Sequence, residues 1–147
     1  MRVSVIGGSS VSDDEYEQAR RVGELLGERG HELVCGGLSG VMEAACHGAH
    51  ETGGHTIGIL PNEDRAAAND YVETAIATGI GNARNVLVVM NGDAVIAIDG
   101  STGTLSELGH ALDFGRPVAG LGTHAIDGVE HVENPEAAVN YVESAVQ

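Results

Sequence analysis

The chain has no lysine, no tryptophan and a single phenylalanine, and aromatic residues make up only 3% of its 147 residues. With so few large rings, a core has to be built from Val, Ile, Leu and Ala, while 22 glycines provide for tight turns. This composition favours an α/β sheet, and the length suits a domain with a substantial core. We therefore predict a single domain over residues 1–147.

Positive charge is also scarce. Seven arginines stand against 22 acidic residues, which gives a formal net charge of −15. A surface of this sign repels nucleic acids and anionic membranes, so we expect neither as a partner. Any phosphate-binding site then has to be local and built from the backbone of glycine turns.

Cysteine is rare, and no long apolar run or signal-like segment is found in the sequence. Cys35 and Cys46 form no CxxC pair, so we predict a reduced, cytoplasmic protein. Cys46 and His50 have the spacing of one face of a zinc site on a helix. Because no further pair of ligands has matching spacing, we expect no metal.

Short apolar runs rich in β-branched residues alternate with segments whose apolar residues recur at helical spacing. This alternation predicts an α/β fold with a doubly wound, mostly parallel sheet and helices on both faces. Strands are predicted over 2–6, 31–35, 56–60, 71–77, 95–98 and 117–121, a short element over 129–132, and helices over 13–29, 41–52, 81–90, 104–112 and 134–146. The polar segment 62–69 is predicted to be a surface loop or lid.

Three of the predicted strands lead directly into glycine-rich turns, at residues 7–10, 36–40 and 100–103. Right-handed crossovers bring these turns to the carboxyl edge of the sheet, which is the usual ligand site of an open α/β sheet. Backbone N–H groups and hydroxyls in the third turn suit a phosphate, and Glu107 lies close enough for acid/base chemistry. A structural alternative stays open, because Thr104 as N-cap and Glu107 three residues later also fit a capping box.

Four ordered motifs resemble the LOG family, whose members were once misannotated as lysine decarboxylases. The motifs are VIGGSS (5–10), LVCGGLSGVMEAA (33–45), GGHTIGILP (53–61) and GSTGTLSE (100–107). The match spans nearly the whole chain and is far more specific than a lone glycine fingerprint. It implies a Rossmann-like fold, a homodimer or higher homo-oligomer and, in active members, hydrolysis of a nucleoside 5′-monophosphate to free base and ribose 5-phosphate.

Within that family the chain is most similar to a short branch related to molybdenum-cofactor carrier proteins, for which the resemblance implies binding rather than hydrolysis. Two function classes therefore stay open: a nucleotide hydrolase, and a non-catalytic binder or carrier of a phosphorylated small molecule. No cofactor is required for the hydrolysis. The expected ligand is a nucleoside monophosphate or a molybdopterin-type compound.

The resemblance also assigns residues. Arg84 and Glu107 match the catalytic pair. The expected phosphate- and ligand-binding residues are Gly8, Ser9, Gly36, Gly37, Met42, Gly100, Ser101, Thr102, Gly103 and Thr104, although Met42 also fits a plain core position.

Four positions depart from the family pattern: Ser101 replaces a glycine, Asp99 a proline, Asn85 a lysine and Ser106 an acidic residue. The catalytic pair is thus retained while residues around it differ from the family pattern, which favours binding over hydrolysis.

The absence of lysine and the even spread of acidic residues suggest adaptation to a high-salt cytoplasm. We predict that the melting temperature rises steeply between low salt and molar KCl, because salt screens the repulsion among the acidic side chains. Calorimetry at several KCl concentrations measures this. A melting temperature indifferent to salt would contradict the adaptation.

Overall fold

The computed structural model describes all 147 residues, and it confirms the α/β class with parallel strands joined by helices. The strands are β1 (Arg2–Gly7), β2 (Glu32–Cys35), β3 (Thr56–Leu60), β4 (Thr74–Ala77), β5 (Ala94–Ile98), β6 (Val118–Leu121) and β7 (Val129–His131). The helices are α1 (Asp13–Glu28), α2 (Val41–Glu51), α3 (Asn85–Met90), α4 (Thr102–Asp113) and α5 (Pro135–Val146). No helix has the length and apolar character needed to cross a membrane.

The seven strands form one sheet in the order β4-β3-β2-β1-β5-β6-β7, and every neighbouring pair is parallel. The chain builds outwards from β1 to one edge, then returns to place β5 against the other side of β1. Val3 pairs with Ala94 and Gly7 with Ile98 in this central register. The order of the strands therefore reverses between β1 and β5, which opens a crevice at their carboxyl ends.

Helices cover both faces of the sheet, as predicted. The apolar residues of α1, α2 and α5 pack on one face, and those of α3 and α4 on the other. Strand β1 shows the alternation that this requires, because Val3 and Val5 belong to the first layer and Ile6 to the second. Ser4, also on the second side, donates its hydroxyl to the Val88 carbonyl oxygen at 2.8 Å.

Most bounds agree with the prediction within two residues, and two predicted elements differ by more. The segment predicted as one helix over 81–90 is a 3₁₀ turn (Gly81–Arg84) followed by α3, because Gly81 and Asn82 are poor helix formers. The edge strand predicted from residue 71 begins at Thr74. Segment 62–69 contains a single 3₁₀ turn (Arg65–Ala67), in which the Ala66 N–H donates to Oδ1 of Asp64.

Helices α1 and α2 approach each other closely because each has a glycine at the contact. A Cβ atom at Gly23 would overlap the carbonyl oxygen of Ala45, and one at Gly48 would overlap that of Arg20. The backbones of the two helices are thus in direct contact. This contact places α2, and with it the second glycine turn, against the site described below.

We expect Gly23→Ala to destabilise the protein by about 2 kcal/mol or more, because the added methyl group forces the two helices apart. Gly109→Ala on α4 is the matched control, since a Cβ there meets no atom within 4 Å. It should be neutral or stabilising by up to about 1 kcal/mol through helix propensity. Urea unfolding measures both, and equal effects would contradict the close contact.

Candidate phosphate-ligand site

A cavity of about 250 Å³ lies at the carboxyl ends of β1 and β5, where the strand order reverses. Most of its lining is polar. The lining residues are Val5, Ile6, Gly7, Ser9, Gly36, Leu38, Met42, Asn82, Arg84, Asn85, Ser101, Thr102, Gly103, Thr104 and Glu107. All three predicted glycine turns therefore contribute to one concave site.

The N-terminus of α4 forms one wall of this cavity. Ser101 is the N-cap residue, and no side chain accepts a hydrogen bond from the first turn of the helix. The first N–H groups of a helix have no partner within the helix, and the helix dipole makes this end positive. Together with the hydroxyls of Thr102 and Thr104, they form a binding place for an anion such as phosphate.

The capping-box alternative for Thr104 and Glu107 is wrong. Helix α4 begins at Thr102, so Thr104 is its third residue and no N-cap. The chain turns earlier than the capping pattern requires because Asp99 and Gly100 both adopt positive φ, at 50° and 125°. Glu107 therefore lies beyond the first turn of α4 and does not cap the helix.

Glu107 is buried, with 8% of its surface exposed, and no protein group hydrogen-bonds or pairs with its carboxyl group. Burial raises the pKa of Glu107 to about 8, and the nearby positive charge of Arg84 offsets part of this rise. At neutral pH the carboxyl group is therefore mostly protonated in the free protein. An unpaired, buried carboxyl group facing a cavity is costly for stability and typical of functional sites.

Arg84 is 6% exposed, so its charge is buried in the site rather than exposed on a helix surface. Its Nε donates to the Ile59 carbonyl oxygen at 2.8 Å and its Nη2 to that of Gly36 at 3.3 Å. Its Nη1 donates to Oδ1 of Asn85. Burial lowers the pKa of Arg84, and the charge of Glu107 opposes that shift. The guanidinium stays charged and is fixed by the ends of β2 and β3.

All the predicted site residues line the cavity except Gly8, Gly37 and Gly100, which lie in the turns just behind it. The carbonyl oxygen of Gly8 accepts the N–H of Val41, and that of Gly37 accepts the N–H of Asn69. Gly100 packs against Thr104. These three glycines shape the backbone of the turns.

Met42 both belongs to the core and lines the cavity. A Cβ atom at Gly36 would come within 2.8 Å of the Met42 sulfur and 2.7 Å of Nη2 of Arg84, so only glycine fits between them.

The residues that sequence reasoning missed are Val5, Ile6, Gly7, Leu38, Asn82 and Asn85. The first three end β1, and their position beside the first glycine turn could have indicated them. The sequence also contained an indication for Asn85, because this residue replaces a lysine of the family pattern next to Arg84. It is 5% exposed, and its Nδ2 donates to the Ser106 hydroxyl at 3.4 Å. Asn85 thus links Arg84 to α4.

The Cys46 and His50 side chains do not converge. Cys46 is fully buried and faces Cys35, whereas His50 is exposed at the end of α2. The spacing of the two residues therefore makes no joint face for a metal.

Comparison with known proteins places the chain in a family. It matches the SLOG cluster4 family over residues 1–147. The chain belongs to this family. Among its relatives, an uncharacterized protein of Archaeoglobus fulgidus is 45% identical over 142 residues, which cover 96% of this chain and 93% of the relative.

Cytokinin riboside 5′-monophosphate phosphoribohydrolases are also similar, which confirms the resemblance to the LOG family. A probable member of Oryza sativa subsp. japonica is 37% identical over 112 residues, covering 73% of this chain and 46% of the relative. The chain thus spans about half the length of these curated relatives.

Solved structures match over a longer share of both chains. The molybdenum cofactor binding protein of Rippkaea orientalis has a TM-score of 0.93 at 33% identity, covering 99% of this chain and 97% of that one. The molybdenum cofactor carrier protein of Chlamydomonas reinhardtii has a TM-score of 0.90 at 30% identity, covering 97% and 96%. The Rossmann-like fold and the similarity to carrier proteins are therefore both confirmed.

The raised pKa of Glu107 predicts a pH-dependent cost in stability. The pKa of Glu107 is about 8 in the folded protein and 4.5 in the unfolded chain. Protonated Glu107 therefore makes its full contribution to the free energy of unfolding below pH 4.5, and this contribution is lost as pH rises through 8. We expect Glu107→Gln, which never ionises, to match the parent near pH 4.5 and to exceed it by a few kcal/mol near pH 8.5.

Urea unfolding of both proteins at the two pH values measures this difference. Glu130→Gln, which removes an exposed carboxylate from β7, is the matched control and should show no such growth with pH. A constant difference between Glu107→Gln and the parent would rule out the raised pKa.

Proposed function

We propose that this protein binds a phosphorylated small molecule at the carboxyl edge of its sheet and hydrolyses the N-glycosidic bond of nucleoside 5′-monophosphates. The products are a free base and ribose 5-phosphate. The main support is the Glu107 carboxyl group, which is buried and unpaired in a cavity that also contains the N-terminus of α4. The similarity to phosphoribohydrolases of the LOG family supports the same reaction.

The phosphate group of the ligand would lie at the first turn of α4. Backbone N–H groups there, the hydroxyls of Thr102 and Thr104, and Ser9 from the first glycine turn face the same cavity. No lysine or second arginine lines this end of the cavity, so the helix terminus provides the positive potential. The ribose ring would then extend towards Glu107 and Arg84.

The chemistry follows from the charge that develops during cleavage. Breaking the bond between C1′ and the base leaves positive charge on the ribose ring, which the Glu107 carboxylate stabilises. Water attacks C1′, its proton passes to Glu107, and the bonding electron pair leaves with the base, which takes up a proton. Arg84, fixed by two carbonyl oxygens, orients the ligand beside this carboxylate.

A carrier function is the second candidate, because the solved molybdenum cofactor binding and carrier proteins match nearly the whole chain. Asn85 in place of a lysine removes a charge next to Arg84, which favours holding a ligand over cleaving it. In this case the same turn would hold the phosphate of a pterin-type cargo. Glu107 would then serve as a neutral hydrogen-bond donor to the cargo.

We expect the protein in molar KCl to release base from at least one of AMP, GMP, CMP and IMP, with an equal amount of ribose 5-phosphate. Glu107→Gln should lower kcat/KM by about 10²-fold or more, since it cannot ionise or accept the proton. In the parent, kcat/KM should rise several-fold from pH 7 to pH 9, because the carboxylate form of Glu107 becomes populated. Chromatography of the free base measures the release by the parent, the loss in Glu107→Gln and the dependence on pH.

Glu130→Gln is the matched control and should leave the rate unchanged. Base release by Glu107→Gln at the parental rate would contradict the assigned role. If no monophosphate is cleaved but AMP or a pterin phosphate raises the melting temperature, the carrier function is supported instead. If none of these ligands is cleaved or bound, both candidate functions fail.

A further inference from the structure

The two cysteines of the chain face each other beneath the site. Cys35 ends β2 and Cys46 lies in α2, and their sulfur atoms are 3.5 Å apart. Both residues are free and have no exposed surface. Nothing in the reaction or in phosphate binding uses them. Their proximity results from the packing of α2 on the sheet rather than from their spacing in the sequence.

Each cysteine is next to a residue that lines the cavity. Gly36 follows Cys35 directly in the chain, and Met42 precedes Cys46 by one helical turn. Gly36 has no side chain to shield the pair. A small molecule in the cavity therefore contacts the chain neighbour of Cys35 and a residue one helical turn from Cys46.

Cys35 is also linked to Arg84 through the second glycine turn. The Sγ of Cys35 accepts the N–H of Gly37 at 3.3 Å, and the Gly36 carbonyl oxygen between them accepts Nη2 of Arg84 at 3.3 Å. A movement of the Cys35 sulfur is thus transmitted over one residue to the group that fixes Arg84.

The two thiols are not equivalent. Hydrogen bonds from Cys46 and from the Gly37 N–H lower the pKa of Cys35 against the effect of burial, whereas the contact with Cys35 and burial raise the pKa of Cys46. The Gly37 N–H that donates to the Cys35 sulfur stabilises a thiolate there, so we assign Cys35 as the nucleophile and Cys46 as the resolving thiol.

We propose that Cys35 and Cys46 form a reversible disulfide when a peroxide enters the cavity, and that this bond weakens ligand binding by displacing the Gly36 carbonyl from Arg84. The bond itself is independent of the protein's function, while its effect on a ligand rests on the proposed function.

The chemistry is a two-electron oxidation by hydrogen peroxide. The Cys35 thiolate attacks one peroxide oxygen, the O–O bond breaks, and hydroxide leaves as a sulfenic acid forms; the hydroxide takes up the proton that the thiol had released and becomes water. The Cys46 thiol then attacks the Cys35 sulfur, which forms the S–S bond and releases a second water. In sum, two thiols and one hydrogen peroxide give one disulfide and two waters, and a dithiol reductant reverses the change.

Formation of the bond requires the two sulfur atoms to approach by roughly 1.5 Å. Helix α2 is held against α1 by the glycine contact, so the end of β2 and its turn have to move. This movement changes the hydrogen bond from the Gly37 N–H and shifts the Gly36 carbonyl away from the guanidinium. A bound ligand, in turn, should slow the oxidation by filling the cavity.

The first test treats the folded, reduced protein with hydrogen peroxide, then unfolds and alkylates it for mass spectrometry. We expect the loss of two hydrogen masses, no alkylation, and one cross-linked peptide containing Cys35 and Cys46. In Cys46→Ser, Cys35 should instead give a sulfenic acid that dimedone traps. Amide NMR signals of Gly36 and Gly37 should shift on oxidation and return with dithiothreitol, and the Kd of AMP should rise about tenfold.

Two results would overturn the proposal. One is that both thiols of the folded protein remain alkylatable under peroxide treatment that oxidises the urea-unfolded chain. The other is a disulfide that leaves the Gly36 and Gly37 signals unmoved. Failure of AMP to bind the reduced protein would count against the proposed function, while the mass and the amide signals would still decide on the disulfide.

Discussion

Parallel pairing of β1 with β5 is the constraint on which the site depends. Because β1 lies at the point where the strand order reverses, the glycine turns after β1, β2 and β5 all meet at one edge. No single turn encloses a ligand. Together they form a cavity whose floor is the end of β1 and whose positive wall is the N-terminus of α4, and this arrangement follows from topology rather than from any one motif.

The site contains two buried ionisable side chains, Arg84 and Glu107, whose burial lowers the stability of the fold. Arg84 is satisfied by carbonyl oxygens, so its charge is fixed in place and available to a ligand. Glu107 has no such partner, and burial keeps it mostly neutral in the free protein. The two groups lie close enough for their charges to interact without forming an ion pair. A carboxylate in a direct ion pair would have a lower pKa, and it would be less able to take up a proton or to stabilise positive charge on a ligand.

The sequence predicted the fold well because its strands and turns are marked by residues that are close together in the chain. Short β-branched runs and glycine turns fixed β1 and β5, and Asn134 with Pro135 fixed the start of α5. Arg84 could not be placed in this way, since its burial depends on carbonyl oxygens from distant strands. The start of α4 depends on positive φ at Asp99, a conformation that few non-glycine residues adopt and that the pattern of apolar residues does not indicate. The Cys35–Cys46 contact likewise results from the packing of α2.

Under the proposed function an acidic protein binds an anionic ligand, so attraction inside the site has to outweigh the long-range repulsion of the surface. A net charge of −15 opposes the approach of a phosphate at low salt, but at molar salt the Debye length is about 3 Å, so that only groups inside the cavity act on the ligand. Backbone N–H groups at the start of α4 act at contact distance and do not titrate. Under the proposed function, a chain without lysine can therefore hold a phosphate with the N-terminus of α4 and with Arg84, which carbonyl oxygens at the ends of β2 and β3 fix in place.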